Sequence, residues 1–362
     1  MKIDELPTPA LIIDLDAVER NITKMQEFVR SRGCNLRPHA KSHKSPFIAR
    51  KQLKAGAIGQ CCQTLLEAEA LMLAGIENVL LTHNLASPGS IDRLLNLRKN
   101  GEIMVIIDGP ENGEMLAKAA RHRGMAADVI VEVDIGINKA GQQPGEPAAK
   151  FARWVTQTEG LRLRGIMGYE GHLQISTPSF EERKAKAQVA LGGVTRTLSA
   201  LSGMGIVPEI VTCGGTGTYN ITAGYPGITE IQPGSYIYMD RRYGEIAPAG
   251  TDFEKAMNVI GTVVSTATPT RAVTDVGWKA VGIEYEGLGF GGMPTPLLPG
   301  LKYTPGGDEH GVLTAEDPKY RPSVGDRVRF IPAHCDTTLN LYGTFYGVRG
   351  DRVELACPVA RR

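Results

Sequence analysis

The 362-residue chain balances 40 Lys and Arg against 39 Asp and Glu, for a formal net charge of +1 spread along its length; this excludes the basic field that nucleic acid or an anionic membrane would need. No apolar run approaches the roughly 18 residues of a membrane span, and Met1-Lys-Ile-Asp-Glu-Leu-Pro7 lacks the apolar centre of a signal peptide. The six cysteines, Cys34, Cys61, Cys62, Cys213, Cys335 and Cys357, form neither a disulfide framework nor a zinc-knuckle spacing, so a reducing cytoplasm is expected.

Ala10-Leu-Ile-Ile-Asp14 reads as a short strand, followed by a helix capped by Asp16 whose apolar positions Val18, Ile22, Met25 and Val29 keep helical spacing until Gly33. A second buried strand ends in Leu36-Arg-Pro-His-Ala-Lys-Ser-His-Lys44. Alternate strand side chains share a face, which groups Arg37, His39 and Lys41, and His43 one step further on. A lysine made neutral by burial and cationic neighbours is a nucleophile suited to Schiff-base chemistry; the alternative is a solvated basic strand end that binds an anion. A helix is predicted over 42–54, with Pro46 near its start and Gly56 just past its end.

The strand and helix unit then recurs, with strands over 56–60, 79–82, 103–107, 129–133, 163–167 and 209–212 and helices over 64–74, 88–97, 112–122, 148–159 and 180–203. Near-continuous apolar strands separated by amphipathic helices predict a parallel sheet covered on its outside, and eight of them suit a closed (β/α)8 TIM barrel. An open doubly wound sheet competes, but no Gly-x-Gly-x-x-Gly follows the first strand. The barrel is assigned to 1–245, its first residues free to pack on a second domain over 246–362.

Polar residues gather where these strands end: Gln63, His83-Asn84, Asp134-Ile-Gly-Ile-Asn-Lys139 and Tyr169-Glu-Gly-His172. Strand C-terminal ends are where a barrel builds its site. Cys213-Gly-Gly-Thr-Gly-Thr218 follows the eighth strand, and small residues there free backbone N–H groups to surround a phosphate; Gly214, Gly215, Thr216 and Gly217 are the candidates. Glu230-Ile-Gln-Pro-Gly-Ser-Tyr-Ile-Tyr-Met-Asp240 adds a second loop in which Gly234, Ser235 and Tyr236 complete the cup.

Beyond Gly244 the texture turns to short strands over 259–265, 271–274, 327–331 and 352–355, an all-β domain with a glycine- and proline-rich loop, 287–302, suited to a lid or an interface arm. His334-Cys-Asp336 puts an imidazole and a carboxylate at i and i+2, on one face of an extended chain with Cys335 turned away. The pair suits Mn²⁺, Mg²⁺ or Zn²⁺, and an oxygen ligand in place of a thiolate shifts the preference toward the harder ions.

These motifs together resemble the D-threonine aldolase and D-serine dehydratase group of pyridoxal 5'-phosphate (PLP) enzymes, which share the alanine racemase fold of a barrel followed by a β domain. The likeness is carried by Arg37-Pro-His-Ala-Lys-Ser-His-Lys44, Cys61-Cys-Gln63, Glu132-Val-Asp-Ile-Gly136, Gly214-Gly-Thr-Gly217, Gly234-Ser-Tyr236, Asp308-Glu-His-Gly311 and His334-Cys-Asp-Thr-Thr338. It implies that Lys41 is the Schiff-base lysine, that Tyr169 lies at the cofactor ring, that the Gly214 and Ser235 loops hold the phosphate, and that His334 and Asp336 bind the divalent ion. It also implies a homodimer. His39 and Gln63 stand among the cofactor contacts on the same grounds. Two positions depart from the pattern: Lys139 stands where the group usually has arginine, and Ile175 where many members have a histidine that handles the substrate hydroxyl proton. The nearest histidine is His172, which becomes the candidate base.

The reaction implied is cleavage of a D-3-hydroxy amino acid to glycine and an aldehyde, with D-threonine, phenylserine-like compounds and 3-hydroxy-D-aspartate as candidates. Aspartate rather than cysteine at position 336 favours this aldolase over the dehydratases. A non-catalytic PLP carrier is the alternative of a different class, and the β domain argues against it.

Overall fold

The computed structural model describes residues 1–175, 179–282 and 292–361. Two compact units divide the chain: Met25–Gly234, and a second made of Met1–Lys24 with Ser235–Arg361. The first strand, β1 (Ala10–Asp14), belongs to the second unit, whereas eight parallel strands build the first: β2 (Asn35–Leu36), β3 (Gln60–Cys62), β4 (Asn78–Leu81), β5 (Glu102–Ile107), β6 (Ala127–Val133), β7 (Leu161–Gly168), β8 (Ile210–Cys213) and β9 (Glu230–Ile231).

Their order is β2-β9-β8-β7-β6-β5-β4-β3, and the two ends meet through a parallel bridge between His39 and Cys61. Two backbone bonds flank that closure, Ile58 N–H to Leu36 O at 2.9 Å and Cys61 N–H to Pro38 O at 2.8 Å. The expected barrel is therefore present with one exchange of strands. Glu230–Ile231, only two residues long and read from sequence as loop, takes the place assigned to Ala10–Asp14. Inside, Cys61, Leu80, Met104, Ile106, Ile130, Met167 and Ile210 form a buried apolar cluster. Outside, helices bury the apolar stripes their spacing predicts; Glu146–Gln157 buries Ala148, Phe151, Ala152 and Val155.

Barrel closure carries an ion pair. The Arg37 guanidinium donates to both carboxylate oxygens of Glu230, at 2.8 and 3.0 Å, and to Asn78 Oδ1 at 2.7 Å, with Arg37 and Glu230 each 2% exposed. Arg37 thus ties β9 to the segment after β2 instead of sharing a cleft with His39 and Lys41. Breaking such a buried pair on one side leaves a charge without compensation, which costs about 3–5 kcal/mol.

In the second unit, β1 runs antiparallel to β10 (Met257–Thr268), pairing Ala10 with Ile260, and parallel to β16 (Thr344–Arg349), pairing Ile12 with Tyr346. The remaining strands are β11 (Arg271–Thr274), β12 (Thr295–Pro296), β13 (Leu301–Pro305), β14 (Gly311–Ala315), β15 (Arg327–Ile331) and β17 (Arg352–Pro358), in one mixed sheet. Ile3, Leu6, Ala10, Ile12, Ile260 and Val348 make a core cluster beneath it. Of the 287–302 loop, 287–291 lies outside the described residues; Thr295–Pro296 pairs with β15, and β13 begins at Leu301. Among the described residues no helix is long and apolar enough to cross a membrane.

Candidate active site

Lys41 does not continue a strand. Past Leu36 the chain turns into a 3-10 helix, Ala40–Ser42, capped by the His39 ring, whose Nδ1 accepts the Lys41 N–H at 3.3 Å. The alternation that grouped Arg37, His39 and Lys41 on one face therefore fails at this turn. The His39 Nδ1 acts as acceptor, so Nε2 carries the proton and donates to Thr82 Oγ1 at 3.1 Å, while that hydroxyl donates to Cys62 O at 3.0 Å. Gln63 Nε2 donates to Thr82 O at 3.0 Å. His39 and Gln63 are thus joined through Thr82 at the ends of β3 and β4, and the same histidine holds the lysine turn through the Lys41 N–H. The predicted helix over 42–54 begins only at Pro46, because Lys44 takes φ 46° and Ser45 is extended. Lys44 pairs with Glu67 at 3.5 Å, and Lys41 in the turn itself is half-buried.

The glycine-rich turn after β8 is shaped by residues that follow β7. Glu170, fully buried, accepts the Gly214 N–H at 3.1 Å and the hydroxyls of Thr218 at 2.8 Å and Thr222 at 2.5 Å. Gln174 Oε1 accepts the Gly217 N–H at 2.8 Å, and Thr218 Oγ1 accepts that of Gly215 at 3.2 Å. Three N–H groups that the sequence offered to a phosphate are thus engaged by side chains. Glycine is required at 217 for packing, since a Cβ there would lie 2.0 Å from Gln174 O. Tyr169, half-buried, stands at the exit of β7. Glu170 and Gln174 shape the turn, and no spacing rule pointed to Gln174.

A test of whether a cofactor fits comes from Ser42 and Gly234. Ser42 is wholly buried and its Oγ has no hydrogen-bond partner among the described residues, although a Cβ at Gly234 would come within 2.8 Å of it. A buried hydroxyl left without a partner costs about 1–3 kcal/mol. This orphan beside the lysine turn and a glycine suits a bound group with an acceptor, so the residues fit PLP.

Lys139 sits on a built loop. Asp134 Oδ1 accepts the N–H groups of Gly136 at 3.0 Å and Asn138 at 3.1 Å, and Asp108 Oδ2 accepts that of Gly141 at 3.1 Å. Lys139 is exposed, and its charge acts on Glu132: burial pushes the Glu132 carboxyl pKa up, and Lys139 partly offsets that rise. His172 lies on the turn Gly171–Leu173 with its ring against Gly136, where a Cβ would meet Cε1 at 3.0 Å. It lines a cavity of about 650 Å³ with Asn138, Gln143, Lys186 and Arg196; Lys41 is not among the described residues lining it.

In the second unit, Asp240, His334 and Cys335 form a group of potential metal ligands whose donor atoms lie within 4.8 Å of one another. Asp240 is a residue the sequence reading missed as a participant. Its Oδ2 lies 3.0 Å from His334 Nδ1 and accepts the Cys335 N–H at 2.9 Å, and its Oδ1 accepts the Tyr243 N–H at 2.8 Å. A carboxylate only accepts, so Nδ1 carries the proton and Nε2 presents its lone pair on the other side of the ring. Nε2 lies 3.9 Å from Asp336 Oδ2, near the roughly 3.4 Å that separates two ligands at about 2.1 Å on a tetrahedral ion. Burial first, then the Asp336 and Asp240 charges, push the Cys335 thiol pKa well up, so it stays protonated. Ser235 hydrogen-bonds to Cys335, and Tyr236 is buried edge-on to Phe253 at 5.6 Å. Asp308 and Glu309 pair with exposed Lys279, at 3.4 and 2.6 Å, rather than with the His334 cluster. Burial raises the pKa values of Cys61, Cys62 and Cys213 well above the ordinary thiol value, which makes them inert packing residues.

The fold and the lysine turn define a class that the comparisons also find: the description "Alanine racemase, N-terminal domain" matches residues 13–242 and "Putative serine dehydratase domain" matches 256–348. The chain belongs to this alanine racemase-like family of PLP enzymes and, within it, to the D-threonine aldolase and D-3-hydroxyaspartate dehydratase group. It is 37% identical to a 3-hydroxy-D-aspartate aldolase of Paracoccus denitrificans, over 100% of this chain and 94% of that protein. The structure of a D-threonine aldolase from Filomicrobium marinum superposes with a TM-score of 0.94 at 38% identity, covering 99% of this chain and 97% of that one. A D-threo-3-hydroxyaspartate dehydratase from Delftia superposes at 0.88 with 28% identity, covering 100% and 99%.

Proposed function

We propose that this protein is a PLP- and divalent-metal-dependent aldolase that cleaves D-3-hydroxy amino acids, D-threonine and 3-hydroxy-D-aspartate among them, to glycine and an aldehyde. The observation that carries the reading is the metal-site chemistry: imidazole Nε2 and an Asp336 carboxylate oxygen lie 3.9 Å apart, while the intervening thiol is buried. Similarity to aldolases along the whole chain supports it.

Lys41 would hold the cofactor, with His39 fixing its turn and Gln63, Tyr169, Lys139, the Gly214–Gly217 turn and Gly234 around it; Ser235 and Tyr236, next in the chain, are the remaining phosphate contacts proposed. When bound, the cofactor supplies a sink for the electrons of the breaking Cα–Cβ bond. Lys139 offers a single cationic donor where arginine would offer a rigid fork. An ion at His334 and Asp336, Mn²⁺ or Mg²⁺ before Zn²⁺ by ligand hardness, would acidify the substrate's 3-hydroxyl. His172 is the proposed base for that proton. We further propose a homodimer in the cytoplasm; sedimentation of the fully active enzyme near 39 kDa would refute the dimer.

The deciding experiment is a product assay on D-threonine and D-threo-3-hydroxyaspartate, with and without chelator. Glycine with an aldehyde, lost on chelation, is the expected result. A 2-oxo acid with ammonia would instead establish the second reading, dehydration, which the likeness to the Delftia enzyme favours.

A further inference from the structure

The residue between the two proposed metal ligands has no role in the reading above, yet its surroundings are specific. Cys335 is fully buried, opens the short helix Cys335–Leu339, and gives its N–H to Asp240 Oδ2 at 2.9 Å. Its Sγ donates to Asp336 Oδ1 at 3.4 Å and hydrogen-bonds to Ser235, itself 3% exposed. A sulfur with both contacts made inside the protein is occupied. The Asp336 oxygen that receives the thiol is not the one that faces His334, which is Oδ2 at 3.9 Å.

We propose that Cys335 is a positioning residue and not a metal ligand: Ser235, Cys335 and Asp336 form a hydroxyl, thiol and carboxylate relay that turns Asp336 Oδ2 toward His334 Nε2. A carboxylate held at one oxygen loses its freedom to rotate, so the site meets the ion with one oxygen already aimed. A group that orients a ligand in this way typically contributes about 10- to 100-fold in metal affinity. The proposal rests on His334 and Asp336 being the ligands.

The test is Mn²⁺ affinity of the holoenzyme by isothermal titration, with the Co²⁺ form as an optical probe. Cys335→Ala should weaken Mn²⁺ about 10- to 100-fold, Cys335→Ser, which keeps a donor, should stay within about 3-fold of wild type, and Asp336→Ala should lose more than either. The Co²⁺ wild type should show no thiolate charge-transfer absorption in the near ultraviolet. Such a band, or wild-type affinity in Cys335→Ala, overturns the proposal; so does Cys335→Ser falling as far as Cys335→Ala, which would reduce the thiol to packing. Unchanged affinity in both His334→Ala and Asp336→Ala would instead refute the ligand assignment beneath it.

Discussion

Replacing Asp240 by asparagine isolates the orientation of His334. The buried carboxylate accepts three hydrogen bonds, from the His334 ring, the Cys335 N–H and the Tyr243 N–H, at 3.0, 2.9 and 2.8 Å. An amide of the same shape keeps one acceptor and turns an NH2 group toward the donors on its other side. If the oxygen stays on Tyr243, both His334 Nδ1 and the Cys335 N–H face a donor. The ring then has no reason to keep its proton on Nδ1, and Nε2 loses its fixed lone pair. Loss of a carboxylate behind a ligating histidine costs about 10- to 100-fold in metal affinity, equal to about 1.4–2.7 kcal/mol. The metal-free protein should lose a further 1–3 kcal/mol, in round terms, for its unsatisfied buried donors. Titration with Mn²⁺ reads the first quantity and denaturant unfolding of the chelated protein the second. Asp240→Asn binding Mn²⁺ like the wild type refutes the orienting role. An affinity below that of Asp336→Asn would show that Asp240 is itself a ligand.

Arg37→Met and Glu230→Gln should each destabilise by about 3–5 kcal/mol in urea unfolding, and the double replacement by less than their sum, because a single change strands a buried charge. Lys41→Ala should abolish covalent cofactor while leaving the fold intact; after borohydride reduction of the wild type, peptide mapping should find the pyridoxyl group on Lys41, and its recovery on Lys44 or Lys139 would sink the assignment. Burial raises the Glu132 pKa above its unfolded value, with Lys139 only partly opposing, so the stability this carboxyl contributes is present below about pH 4.3 and lost as pH rises through the folded pKa. Glu132→Gln should therefore match the wild type in Tm near pH 4 and exceed it near pH 8; an unchanged difference across that range would mean the carboxyl is not desolvated.

The barrel was legible because its strands are buried on both faces and its helices on one, so apolar runs and 3.6-residue stripes alternate openly in the chain. What escaped was the identity of one strand. Ala10–Asp14 has the same apolar texture as a barrel strand, and only its pairing with Ile260 and Tyr346 separates it. Glu230–Ile231 is too short to show a period and includes a glutamate, whose burial makes sense once Arg37 lies 2.8 Å away. A long-range ion pair leaves no local pattern.

The site divides on the same ground. Lys41, His334 and Asp336 stand in short motifs whose chemistry is readable, but the residues that orient them do not. His39 was grouped with Lys41 by strand alternation, and it serves instead by capping the turn that ends the strand. Asp240 acts on a histidine 94 residues away. The one signal that marks it is local: Asp240 accepts the Tyr243 N–H at i+3, as an N-cap does. An N-cap uses one carboxylate oxygen, and Asp240 directs the other to His334 and the Cys335 N–H. The same carboxylate thus fixes the short turn Arg241–Gly244 and the tautomer of the histidine. Moving the acid to another position would lose both, which ties the proposed metal chemistry to a turn that sequence alone presents as ordinary capping.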